Sequence, residues 1–290
     1  MRNLLTLIIP SYRSKKLILT HLKNFSNKYK IIIIENSYDL EFEKFIKEKY
    51  PQVNIFLKKN IGYGRAVNFA AKKVKTKYFF VINPDTIIFN NTIKNLVLAA
   101  KSIKNFGAIS PIYSHLKRKY KKNFTEVSKL VSAAMLIKTK TFLKIKGYDE
   151  NYFLYYEDDD FFLKCNALNL KLFQINTSLI KHNKTKKKRE TLDLHSTTFQ
   201  NFDERNNTLA IGGWHGQWSK FYFFKKHQGY LIALLKCLPN NLLNFFQLLP
   251  YLFFKPSKAK YKYYKIEGFV CSVLGISSFK RSLYDIKNIY

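Results

Sequence analysis

Short uninterrupted apolar runs alternate with stretches of helical spacing along the first hundred residues. Residues 4–9, 31–34, 54–57 and 78–82 have the character of buried strands, whereas residues 17–25, 40–50, 65–73 and 91–104 space their apolar side chains three and four apart. Strands alternating with helices predict an α/β fold whose mostly parallel sheet is wrapped by helices on both faces. After residue 110 the order loosens. Residues 117–122 read as a basic loop, 130–137 as a strand, 147–168 as a loop running into a helix, and 171–175 as a strand. From about residue 184 the chain becomes the basic stretch KTKKKRE and then a tail unlike the rest, so a catalytic domain over 1–185 and a helical region over 186–290 are expected.

Ligands of open α/β sheets bind beyond the carboxyl ends of the strands. Those ends are Pro10-Ser11-Tyr12, Glu35-Asn36-Ser37, Asn60-Ile61-Gly62-Tyr63-Gly64 and Asn83-Pro84-Asp85-Thr86. Each taken alone fits an ordinary turn, with Pro84 presetting φ and Asp85 capping the next helix. Four polar ends on one rim, two of them bearing carboxylates, point to a site instead.

The segment NYFLYYEDDDFF, residues 151–162, sets four acids in a row behind a block of aromatics. A helix starting at Glu157 and ending near Leu168 puts Phe161, Cys165 and Leu168 on one buried stripe. Asp158 points the same way, while Asp159 is turned about 100° toward solvent. Acids in a first helical turn also complement the positive end of the dipole, which accounts for Glu157 or Asp159 without any further role. It does not account for Asp158, because an inward carboxylate needs a partner or a task and has its pKa raised by desolvation. Such a group beside a second carboxylate on the sheet rim suits a general base next to a metal.

Composition changes this picture less than its size suggests. The chain has 51 Lys and Arg against 19 Asp and Glu, a formal charge of +32. That argues for a polyanionic neighbour. Most of the excess is Lys, in a chain also rich in Ile, Asn, Phe and Tyr, as an AT-rich coding sequence would give. A nucleic-acid reader would use more Arg, would not put acids at strand ends, and would show one of the known binding patterns. The three cysteines, Cys165, Cys237 and Cys271, are far apart in apolar surroundings and suggest no disulfide framework, which fits a reducing compartment. The apolar stretch at the N-terminus is too short for a signal-peptide core and reads as a first strand.

Together LIIPSYRS, IIIIENS, NIGYGRAVNFA, FFVINPD and GYDENYFLYYEDDDFFLK resemble, in order and spacing, the inverting glycosyltransferases of family 2, and the Asn-Pro-Asp form resembles their rhamnosyltransferase branch. The similarity spans roughly residues 3–185, and WHGQWSKFYFFKKHQGY and KIEGFVCSVLGISSFKR are also similar to the downstream segments of that branch. It implies a GT-A fold with a nucleotide-diphosphate sugar across the strand ends. By that resemblance Pro10, Ser11, Tyr12 and Glu35 surround the base and ribose. Asp85 corresponds to the last acid of the Asp-x-Asp motif that holds Mg²⁺ or Mn²⁺, and Asp158 to the catalytic base next to Glu157. His182 resembles the His that approaches metal or diphosphate. Gly62 and Gly64 let the backbone approach the sugar nucleotide, Asn60 and Asn83 are further substrate-binding positions, Arg65 is available to a phosphate, and Asn68 holds the loop; Val67 in place of a third glycine argues against a dinucleotide fingerprint. Three positions depart from the family pattern: Arg13 for the usual Asn, Asn83 for the first Asp, and Ala133 for a frequent Gly.

The tail, residues 229–255, is strongly apolar but interrupted by Pro239, Pro250 and several Asn and Gln. A spanning helix needs about 20 uninterrupted apolar residues. Two short amphipathic helices in the headgroup region, flanked by Lys225, Lys226, Lys255, Lys258, Lys260 and Lys262, are expected at the inner face of the cell membrane, with packing on the catalytic domain or a second subunit as the competing arrangement. The expected activity is transfer of a sugar to a hydroxyl of a glycan or lipid-linked acceptor in the cytoplasm. A sugar-nucleotide-binding protein without turnover is the alternative.

Overall fold

The computed structural model describes residues 2–119, 122–182, 202–282 and 285. The chain forms two compact units, the first made of residues up to 61, 65–148 and 158–182, the second of 62–64, 149–157 and the residues from 202 onward.

In the first unit the elements run β1 (Leu5–Ser11), α1 (Lys15–Phe25), β2 (Lys30–Glu35), α2 (Leu40–Lys49), β3 (Asn54–Leu57), α3 (Tyr63–Ala71, which begins in residues of the second unit), β4 (Tyr78–Ile82), β5 (Thr86–Ile88), α4 (Thr92–Ser102) and β6 (Phe106–Tyr113). A 3₁₀ segment (Ser114–Lys119), β7 (Phe124–Glu126), β8 (Ala134–Lys138), α5 (Thr139–Lys144), α6 (Glu157–Ala167) and β9 (Lys171–His182) complete it. The sheet order is β3-β2-β1-β4-β8-β6-β9-β5, with β7 paired to β9. Strands β3, β2, β1 and β4 are parallel, as the strand–helix alternation requires, and antiparallel β8 joins them to β6. Every residue of β1 and β4 is buried, which is why both read as continuous apolar runs rather than alternating ones. On one side of the sheet Phe142 packs edge-on against Phe79 at 5.1 Å and lies 5.5 Å from Phe161 of α6.

Local chemistry sets the helix ends. Asp39 caps α2 by accepting the Phe42 N–H at 2.8 Å, with Glu41 and Glu43 in the first turn and Lys47 and Lys49 in the last, each complementing the dipole.

The second unit contains α7 (Phe202–Gln228), α8 (Tyr230–Phe254) and α9 (Pro256–Val273). Helices α7 and α9 approach closely where a Cβ on Gly268 would lie 2.2 Å from the Trp214 carbonyl oxygen. Phe221 stacks edge-on against Phe269 at 5.6 Å, and the Trp218 indole donates to the Ile276 carbonyl at 2.7 Å. The loop 149–157 belongs to this unit. Its Phe153 ring lies 4.4 Å from His215, its Leu154 carbonyl accepts from Ser219 Oγ at 2.8 Å, and its Asp149 pairs with Lys226 at 2.7 Å.

Several expectations are corrected. The tail residues 230–254 form one continuous helix through Pro239 and Pro250, not two short ones. Both prolines are exposed, where the missing hydrogen bonds can be replaced by solvent. Leu168 is 56% exposed rather than part of the buried stripe, because α6 ends at Ala167 and the chain turns, Leu168 N–H donating to the Cys165 carbonyl at 3.1 Å. The strand expected over 130–137 starts at Ala134, and the one expected over 171–175 continues to His182. Part of the supposed basic loop at 117–122 is 3₁₀, while residues 120 and 121 and the stretch KTKKKRE lie outside the described residues. Among the described residues no helix is long and apolar enough to cross a membrane.

Candidate active site

At the carboxyl end of β1, Ser11 pairs in register with Glu35 of β2. Ser11 Oγ donates to Glu35 Oε2 at 2.6 Å, and Glu35 Oε1 accepts the Ser37 N–H at 2.9 Å and the Ser37 hydroxyl. Glu35 is buried, and its carboxylate ties the ends of two strands together. Residues 58–60 fold back on this turn: Lys58 N–H donates to the Glu35 carbonyl and Asn60 N–H to the Asn36 carbonyl, both at 2.9 Å. Pro10 is buried, and Tyr12 and Arg13 are half-buried beside it, with Arg13 in a left-handed conformation at φ 53°.

Arg65 is exposed in the first turn of α3. Asn68 is buried on the same helix and makes two 3.0 Å hydrogen bonds to the Tyr148 backbone, donating to its carbonyl and accepting from its N–H. Gly62 has φ 87°, and a Cβ there would lie 2.4 Å from the Phe153 carbonyl oxygen. This contact by itself requires the glycine.

Beyond β4, the turn Asn83-Pro84-Asp85-Thr86 closes with the Thr86 N–H donating to the Asn83 carbonyl at 3.0 Å. Asp85 is buried. His21 of α1, also buried, lies with Nε2 2.9 Å from the Pro84 carbonyl; because a carbonyl only accepts, Nε2 carries the proton. Burial lowers the His21 pKa, against the opposing effects of that hydrogen bond and of the Asp85 charge. His21 thus stands neutral behind the turn.

The segment before β8 joins this turn to α6. The Ala133 carbonyl accepts the Asn83 N–H at 2.9 Å and the Thr86 hydroxyl at 3.2 Å, and the adjacent Ser132 hydroxyl donates to Asp158 Oδ2. Two neighbouring residues therefore tie Asp158 to the Asp85 turn. Asp158 Oδ1 accepts the Asp159 N–H at 2.9 Å. Desolvation by burial raises the Asp158 pKa, the Ser132 hydrogen bond opposes the rise, and the Asp159 charge adds to it. Asp159 faces outward to exposed Lys129. Asp160, fully buried, pairs with Lys164 one turn along at 3.2 Å. Glu157 is buried at the start of α6 and is grouped with the second unit.

The backbone of His182 pairs opposite Thr86, one residue from Asp85; its side chain lies outside the described residues. Asn83 Oδ1 is buried and has no hydrogen-bond partner among the described residues. A buried amide oxygen two residues from a buried carboxylate is a donor set of the hard-oxygen kind that suits Mg²⁺ or Mn²⁺. No three His, Cys, Asp or Glu among the described residues are grouped to hold an ion, so substrate oxygens or water would complete any shell.

Sequence reasoning missed His21, Ser132 and Asp160. His21 follows Ile18 at i+3 on the buried face of α1 and was legible as an inward polar residue. Ser132 gave no signal, because its role depends on a contact 26 residues away. Asp160 was hidden by its three acidic neighbours.

A mostly parallel sheet flanked by helices, followed by a helical region, is an architecture of the GT-A type. Glycosyl transferase family 2 matches residues 6–174, more than half of the chain, and the protein belongs to that family. Among solved structures, a mannosyltransferase from Pyrobaculum calidifontis, in complex with GDP-Man and Mn²⁺, is similar with a TM-score of 0.56 and 14% identity, over 95% of this chain and 88% of that one. GalNAc-T7 with UDP, GalNAc and Mn²⁺ is similar with a TM-score of 0.52 and 14% identity, over 99% of this chain and 58% of that one. At that identity the likeness establishes the fold. No curated protein matches the chain in sequence.

Proposed function

We propose that the protein is an inverting, metal-dependent glycosyltransferase that moves a sugar from a nucleotide diphosphate to a hydroxyl of a glycan or lipid-linked acceptor in cell-surface polysaccharide synthesis. Rhamnose is the proposed sugar, from the Asn-Pro-Asp form of the strand-end turn. The observation that carries the reading is the pair Ser132–Ala133, which holds Asp158 on one residue and the Asn83–Thr86 turn on the next.

The rim residues Pro10, Ser11, Tyr12 and Glu35 frame the base and ribose, with Glu35 fixing the shape of the turn. Asn60 and Arg65 bind the donor, Arg65 offering a charge to phosphate, while Asn68 fixes the loop. Asn83 and Asp85 would hold Mg²⁺ or Mn²⁺, and His182 would be a further ligand; when bound, the ion would neutralise charge on the departing diphosphate. Asp158 accepts the proton of the acceptor hydroxyl as that oxygen bonds to the anomeric carbon, and the anomeric carbon–phosphate oxygen bond breaks on the opposite face. The raised pKa of Asp158 makes it a better proton acceptor than a solvated carboxylate. The Ser132 hydroxyl orients it.

A panel of nucleotide sugars, screened by thermal shift with and without Mn²⁺, tests the donor assignment. A donor at a hundred times its dissociation constant adds about 2.7 kcal/mol of stability. dTDP-rhamnose should stabilise the protein more with Mn²⁺ than without it, and UDP-sugars less. A larger shift with a UDP-sugar replaces rhamnose, and no shift with any nucleotide sugar refutes the reading.

A further inference from the structure

Helix α8 reverses the usual placement of polar and apolar residues. The side it turns to the rest of its unit carries Ala233, Cys237, Asn241 and Asn244, spaced four, four and three apart, and two of these are asparagines. They are held by hydrogen bonds: Asn241 Nδ2 donates to Gln217 Oε1 at 3.2 Å, and Lys262 Nζ donates to Asn244 Oδ1 at 2.9 Å and to Gln247 Oε1 at 2.6 Å. The outer side carries Leu231, Leu235, Leu238, Leu242, Leu249 and Phe253 at helical spacing, with Leu231, Leu235 and Phe253 exposed by 74%, 75% and 82%. Phe246 widens the same stripe. A helix facing water places its leucines inward and its asparagines outward. Here one polar atom of each inward asparagine is hydrogen-bonded inside the unit and the apolar side chains are uncovered, an arrangement that suits an apolar medium on the outer side.

Charge identifies that medium. From residue 206 to residue 266 the chain has nine lysines and neither Asp nor Glu, and Lys255, Lys258 and Lys260 are exposed just beyond the end of α8. An apolar stripe flanked by cations alone complements an anionic lipid surface, where each nearby Lys adds to the attraction. The prolines determine how α8 would sit there. Pro239 and Pro250 lack N–H groups, so the carbonyls of Leu235 and Phe246 lose their helical donors. Water and headgroups can donate to those carbonyls at an interface but not in hydrocarbon, so the helix, roughly 37 Å long, lies along the surface.

We propose that the outer face of α8 docks the protein onto an anionic lipid bilayer, with Leu231, Leu235, Leu238, Leu242, Leu249 and Phe253 entering the headgroup–acyl boundary. The test is flotation of the full chain with vesicles of phosphatidylcholine alone and of phosphatidylcholine with phosphatidylglycerol. The protein should float with the anionic vesicles and bind neutral ones about tenfold or more weakly. The triple variant Leu235→Glu, Leu242→Glu, Phe253→Glu should lose more than about a hundredfold in partition while its melting temperature holds, because these side chains are exposed. Lys258→Gln with Lys260→Gln should lose about tenfold on anionic vesicles and little on neutral ones. Absence of flotation with either vesicle overturns the proposal, as does equal binding by wild type and the triple variant. So does a dimer that the triple variant dissociates, if neither form binds vesicles, since the stripe is then a contact between copies.

Discussion

Strand β4 and helix α8 are both strongly apolar in sequence, yet they place their apolar residues oppositely. In β4 every side chain from Tyr78 to Ile82 is buried, and polarity begins where the strand ends, at Asn83 and Asp85. In α8 the buried positions include Asn241 and Asn244, while leucines and phenylalanines form the outer surface. Apolar content alone therefore does not locate a core. What separates the two is the period: an unbroken run of five fits a strand covered on both faces, whereas asparagines at 241 and 244 mark one side of a helix and leucines the other.

Paired truncations provide the strongest test of that contrast. Phe80→Ala, in the centre of β4, should destabilise the protein by about 3–5 kcal/mol, whereas Leu235→Ala on α8 should stay within about 0.5 kcal/mol, both read by denaturant unfolding in the absence of lipid. A large loss at Leu235 would mean that the outer face of α8 is covered in solution. Asn241→Ala should cost about 1–2 kcal/mol, since it leaves Gln217 Oε1 without its donor inside the helical unit. A neutral result would show that this polar contact contributes nothing.

Acidification acts on a buried histidine in each unit in the same direction, while the raised pKa of Asp158 in the first unit opposes it. Burial lowers the pKa of His21 in the first and takes that of His215 in the second down to about 3. At these two histidines the unfolded chain binds more protons than the folded one once the pH falls below about 6.5. Stability should drop between pH 7 and pH 5, and melting temperature against pH measures it. In His21→Gln the drop should be smaller, and an unchanged slope would remove His21 as a contributor.

Most of the first unit was legible in the sequence. Strands 54–57 and 78–82 were read to the residue, the second because a strand covered on both faces leaves an unbroken apolar run and the first, at the sheet edge, from the short run Ile55–Leu57. Strand β6 was overlooked, since Gly107, Ser110 and Pro111 break its apolar run and its pairing partners are distant in sequence. Asp158 could be recognised from its helical phase with Phe161 and Cys165. Ser132 could not, because nothing near it in the chain indicates that it meets Asp158. In the tail, Pro239 and Pro250 suggested a break; the helix runs through them because both sit on the exposed side.

In the proposed reaction Asp158 takes the acceptor's proton without holding the donor, and Asp158→Asn tests this division of roles. With Mn²⁺ and a donor found in the nucleotide-sugar panel, transfer should fall by about a hundredfold to ten-thousandfold, while donor affinity by calorimetry stays within about threefold of wild type, or ~0.7 kcal/mol. The same variant should melt higher at neutral pH. A raised folded pKa gives stability that is present below the ordinary carboxylate range and lost as pH rises through the folded value, so removing the buried charge restores it. Undiminished transfer by Asp158→Asn, or a loss of transfer accounted for entirely by weaker donor binding, would remove Asp158 as the base.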